Sequence, residues 1–179
     1  MKTLNPQPSQ IEQAMQFMLA YKSNGYGENV LGVSYEEYLD FIFIGKLCEI
    51  VFINKLRELG VELKADDLLV PQAGDHRKGA DFILTRTNQS VDVKAGNKSF
   101  HTRLLVREDQ FSAHKHDLYV GAKYISKSEV QFHGYTTKEG LSKVQPKDFG
   151  YGLCRHMFLN ELSSIDDFVR NARLGEVVS

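Results

Sequence analysis

Asp81, Asp92 and Lys94 stand in the stretch "GADFILTRTNQSVDVKAG" (79–96), where two runs of strand-forming residues flank a polar turn. Side chains alternate along a strand, so Asp92 and Lys94 share one face while Val91, Val93 and Ala95 share the other. The hairpin register decides what Asp81 can do. A turn at "TNQS" (87–90) puts residue 85 opposite 92 and leaves Asp81 roughly 13 Å along the strand from Asp92, too far for one ion to bridge. A turn at "TRTN" (85–88) puts residue 84 opposite 89 and Asp81 directly opposite Asp92, about 5 Å away at Cβ. Two ionised carboxylates in that position repel each other unless a cation sits between them. Mg2+ suits the place: it takes oxygen ligands in octahedral geometry and keeps several waters, so Asp81, Asp92 and the backbone carbonyl of Val93 make a sufficient protein share. Lys94 would then lie beside a metal-activated water, able to help position it and to stabilise charge developing on a phosphate.

These residues need elements to hold them. A long helix is expected from Ser34, where Ser34 and Glu37 have capping-box spacing, through "YEEYLDFIFIGKLCEIVFINKLREL" to Gly60. Its second half, Gly45 to Leu56, is apolar on nearly every side, as in a helix surrounded by other elements. Glu49 sits inside that belt, where a carboxylate is costly unless paired or bound to a metal. Its partner is either the cation of the hairpin site or, facing the rim, Lys46 three residues earlier. A shorter helix precedes, with Ser9 as N-cap. Beyond residue 67 the pattern changes to short strands: "LLVP", the hairpin, "RLLVRE", and "DLYVGAKYI" with "EVQFHGYTT" joined near Ser126. Short helices are expected at "EDQFSAHKH" and "TKEGLSKV". "QPKDFGYG" reads as loop, and a last helix opens at Ser164 with acids early and arginines late. The whole reads as one domain: N-terminal helices over 9–60, a sheet core over 67–136 and a C-terminal helical segment over 137–179.

Asp81, the Asp92-Val93-Lys94 triplet and Glu49 on an upstream helix resemble the active-site pattern of the PD-(D/E)XK phosphodiesterase superfamily, which includes restriction endonuclease-like proteins. The resemblance covers about residues 45 to 135. Ala80 replaces the proline of the name pattern, and Asp rather than Glu occupies position 92. The resemblance implies an α/β fold with a restriction endonuclease-like core, a central mixed β-sheet flanked by helices. It also implies Mg2+-dependent hydrolysis of DNA phosphodiester bonds, with Mn2+ as a substitute ion. Asp81 and Asp92 would be metal ligands, Lys94 the catalytic lysine, and Glu49 an outer ligand or water-holding residue. Gln110 is similar to a glutamine that follows the lysine strand in some members, but His114 stands where their tyrosine would be, so no catalytic role is carried over.

The net charge of −1 conceals an uneven distribution, with residues 71–147 basic and both flanks acidic. Arg77, Lys78, Lys98, Arg103 and Arg107, with Gln110, are the expected DNA contacts, and Lys115, Lys123 and Lys127 extend the basic stretch. Asp75 reads as a turn residue competing for the role of first ligand. Cys48 and Cys154 are far apart and read as separate thiols in a reducing compartment. The chain does not read as carrying a secretory signal or a membrane-length apolar run, and a cytoplasmic location is expected. G-x-S-x-G, P-loop and G-x-G-x-x-G motifs are absent, so no nucleotide cofactor is expected. Cutting both strands of DNA would call for a homodimer. Junction resolvase and repair or phage nuclease remain open within the class. Outside it stand two rivals: a DNA-binding or inhibitory module with the same fold and no activity, and a plain interaction domain, which would leave Lys94 paired with solvent and its basic residues scattered.

Overall fold

The computed structural model describes residues 3–23, 33–65, 80–113, 116–150 and 152–179. Two helices lead, α1 (Pro8–Ser23) and α2 (Tyr35–Glu58), after a short edge strand β1 (Thr3–Leu4). Ser34 caps α2, its hydroxyl accepting the Glu37 N–H at 3.2 Å, and Gly60 takes φ 79° just past the end. That left-handed conformation is one that only glycine adopts at little cost.

Six strands make the main sheet, in the order β1-β7-β6-β4-β3-β2. They are β2 (Leu63–Lys64), β3 (Phe82–Leu84), β4 (Ser90–Gly96), β6 (Leu118–Ser126) and β7 (Glu129–Thr137), with β1 at the edge. β4 and β6 pair in parallel and every other pair is antiparallel, so the sheet is mixed. α2 lies across one face with α1 behind it and α5 (Ile165–Leu174) beside it, enclosing the larger core. Phe52 of α2 sits at its centre, its ring 4.8 Å from Phe132, 5.7 Å from Phe168 and 6.1 Å from Phe82. The mixed α/β architecture, a central sheet flanked by helices, agrees with the sequence expectation.

The opposite face differs from that expectation. A second, antiparallel sheet of β5 (Arg103–Arg107), β9 (Leu153–Phe158) and β8 (Lys147–Asp148) covers it together with α3 (Glu108–Ala113) and α4 (Lys138–Ser142). "RLLVR" therefore leaves the main sheet. Residues 137–179 are not a helical segment: they hold two strands between α4 and α5. β9 was hidden because Arg155 and His156 break its alternation; Arg155 is tied down by Glu108 at 2.7 Å and by the carbonyls of Leu141, Ser142 and Val144. The sheet core also exceeds 67–136, since β1 and β2 complete its two edges. Gly134 lets the second layer approach: a Cβ there would come 2.4 Å from the Ser163 carbonyl, which bonds across to Tyr135. Cys48 and Cys154 are both free and buried, and burial pushes the Cys48 thiol up to about 12. No helix among the described residues is long and apolar enough to cross a membrane. The "LLVP" strand lies outside the described residues.

Candidate active site

The hairpin closes with the turn at 85–88. Leu84 N–H donates to Gln89 O at 2.9 Å, Asn88 N–H donates to Leu84 O at 2.8 Å, and Asn88 takes the left-handed conformation at φ 57°. Phe82 pairs with Val91 and Ile83 with Ser90, a register that runs toward Asp81 opposite Asp92 but whose pairing stops at Phe82. At Asp81 the chain leaves the ladder. Its N–H donates to Val91 O at 2.9 Å, while its Oδ2 accepts the Val93 N–H at 2.7 Å. Groups on one residue of a strand point to the same edge, so the Val93 carbonyl leaves β4 on the side that Asp81 occupies.

The other charged groups arrive from both faces. Asp92 and Lys94 face the second layer, with Lys94 Nζ 2.8 Å from Asp92 Oδ2. Gln110 of α3 accepts a long bond from Lys94 Nζ at 3.5 Å. Tyr119, next to Asp92 across β6, has its hydroxyl pushed up to about 12, by burial first and then by the Asp92 charge. From the opposite face α2 presents Glu49, which is ion-paired with Lys46. Lys46 is only 3% exposed, and its ammonium also lies 4.6 Å from the centroid of the Phe17 ring of α1. This pair was read from sequence as a rim alternative to the metal site; the pairing forms, but it is buried rather than at the rim.

The acids act on one another. Burial, then the charges of Glu49 and Asp92, hold the Asp81 carboxyl well above the ordinary carboxylate range, with only partial relief from Lys46 and the Val93 N–H. Burial pulls the Lys94 ammonium down, but Asp92, Asp81 and Glu49 outweigh it and the net shift is upward. Three acids and two lysines thus act on one another in a part-buried cluster, and Asp81 is the acid left short of positive charge.

The expected DNA contacts are spread around this centre. Lys98 is half-exposed, 3.6 Å from Glu37. Arg103 stacks on Phe158 at 4.2 Å and lies 5.6 Å from Phe149. Arg107 is held by both oxygens of Asp109, at 3.0 and 2.6 Å. Gln110 stands at Lys94 itself. Arg77 and Lys78 lie outside the described residues, as do Asp75 and His114. Lys46 is the member that sequence reasoning missed as a component of the site; its i,i+3 spacing from Glu49 was the available signal.

Among the described residues, no group of three or more His, Cys, Asp or Glu side chains is arranged to hold a metal ion. The donor chemistry nevertheless suits a hard divalent cation, being two Asp carboxylates and a backbone carbonyl. The raised Asp81 marks where positive charge is lacking. Asp92 faces Lys94 and Glu49 faces Lys46, so a cation would have to share Asp92 with its lysine. Comparison with protein-family models, with curated proteins and with solved structures gives no match.

Proposed function

We propose that this chain is a Mg2+-dependent deoxyribonuclease of the PD-(D/E)XK type, built on a restriction endonuclease-like core. The observation that supports the reading is the hairpin turn at 85–88, which brings Asp81 alongside β4 with its carboxylate on the Val93 N–H, the residue between Asp92 and Lys94. A plain interaction domain has no use for neighbouring acids, Asp92 buried and Asp81 half-buried, and Lys94 is paired with Asp92 rather than with solvent. Asp81, Asp92 and the Val93 carbonyl would hold the ion, with Glu49 outside them. Bound Mg2+ would neutralise the carboxylates and lower the pKa of the attacking water. Lys94 would turn from Asp92 towards the scissile phosphate and stabilise the charge that builds on it, and Gln110 would hold the ammonium on that side. The strand edge and the small sheet would shield the reacting phosphate from bulk water. Lys98 is the half-exposed cation nearest in sequence for the flanking phosphates; Arg107 would have to exchange Asp109 for one. We place the protein in the cytoplasm, acting on DNA as a homodimer where both strands are cut.

The alternative is a DNA-binding or inhibitory module of the same fold without activity. What favours it is the internal compensation of the site, Lys46 on Glu49 and Lys94 on Asp92. Incubation with plasmid, single-stranded and branched DNA in Mg2+ or Mn2+ separates the two readings. The nuclease reading expects cleavage that Lys94→Ala abolishes; DNA binding with no cleavage of any substrate would leave the inactive module. The preferred substrate separates a junction resolvase from a repair or phage nuclease.

A further inference from the structure

Lys46 is at an unusual place for a lysine. Its neighbours along α2 are Ile44, Leu47, Cys48, Ile50 and Val51, all buried, and its ammonium lies between the Phe17 ring and the Glu49 carboxylate. A cation at that depth is tolerated only where negative charge meets it. Its charge reaches Asp81 from the helix side, and so does that of Lys94, which is paired with Asp92, from the other face. With all three carboxylates ionised, the five groups carry a net −1. One divalent cation brings that to +1, matched to the single negative charge of a phosphodiester. A second would bring it to +3 in a space walled largely by apolar side chains, where uncompensated charge is expensive.

We propose that the Lys46 ammonium stands in for a second metal ion, so that this centre loads one divalent cation on the Asp81–Asp92 side while Glu49 stays with Lys46. The inference rests on the nuclease reading of the same site and adds its ion count and the role of a positioning lysine.

The test is the stoichiometry of Mn2+ binding to the full chain, read from the electron paramagnetic resonance signal of the unbound ion. Wild type should bind one ion per chain, and Lys46→Met, which leaves Glu49 uncompensated, should bind two. Lys46→Met/Glu49→Leu restores the net charge of the wild type and should again bind one ion. Two ions on wild type would overturn the proposal, as would one ion on a folded Lys46→Met protein. Should Lys46→Met alone not fold by circular dichroism, the double variant decides: one ion retained upholds the pairing of Glu49 with Lys46, whereas loss of the ion would show that Glu49 holds it and refute the substitution of ammonium for metal. Failure of the underlying reading looks different, since wild type would then bind no Mn2+ and cut no DNA.

Discussion

Replacing Asp81 by Asn asks how much the acid cluster costs the fold. The change keeps the shape and keeps an oxygen to accept the Val93 N–H, at present 2.7 Å long, but removes the ability to ionise. The Asp81 carboxyl sits well above the ordinary carboxylate value of about 3.9 because of burial and the charges of Glu49 and Asp92. Below the unfolded-state value both states are protonated and the group costs nothing. As pH rises towards the folded-state value, the unfolded chain ionises while the folded one resists, and stability drains away until the folded value is passed. Within that window one full proton corresponds to about 1.4 kcal/mol per pH unit. Urea unfolding free energies of both proteins, taken from about pH 4 to about pH 8 without divalent ions, give the comparison. The difference should open in favour of Asp81→Asn as pH rises, with a slope approaching that value and a plateau once Asp81 has ionised in the folded protein. Asp109 and Asp117, whose carboxyls are lowered by their hydrogen-bond partners despite burial, act in the opposite sense, but in both proteins alike. Millimolar Mg2+ should close the gap by stabilising the wild type selectively. Parallel profiles at all pH values would refute the claim that Asp81 is an uncompensated acid.

Lys94→Ala should lower DNA cleavage by about 10²–10³-fold, the usual loss on removing one group that stabilises transition-state charge. Single-turnover assays at saturating DNA should place that loss in the chemical step, and an unchanged rate would remove Lys94 from the reaction. Asn88→Ala forces a Cβ-bearing residue without a polar tip into φ 57° and should cost about 1 kcal/mol in urea unfolding, whereas Asn88→Gly should be neutral or slightly stabilising. Equal effects of the two would contradict the turn at 85–88. Phe52→Ala empties the point where three other rings meet and should cost about 3–5 kcal/mol by the same measurement.

The helix from Ser34 to Gly60 was legible because its cap, its apolar belt and its terminal glycine are all local signals. The hairpin was legible up to a choice of two turns, and the repulsion between Asp81 and Asp92 made that choice depend on function. Asn88, able to take the left-handed conformation, gives the structural ground for the turn adopted. β5 and β9 were another matter. "RLLVR" alternates well enough to be a strand, but nothing in five residues says which sheet it joins, and "LCRHMF" owes its strand to pairing with "RLLVR" about fifty residues earlier. The site divides the same way. Asp81, Asp92 and Lys94 lie within fourteen residues and could be related by strand geometry alone. The burial of Lys46 depends on Phe17 from α1, a contact across two helices that no spacing rule within α2 contains.

The division between local and distant parts has a consequence for the lifetime of the folded chain. The 82–91 hairpin closes over a short loop, so Asp81 and Asp92 can meet while water still screens them; Glu49 joins only when α2 packs across the sheet, with more than thirty residues of chain between. The repulsion therefore grows mainly after the barrier to folding has been crossed, where a destabilising contact quickens unfolding more than it slows folding. In stopped-flow kinetics the gain from Asp81→Asn should appear in the unfolding limb. A bound cation would act on the same limb, making metal-loaded protein slower to open rather than quicker to form.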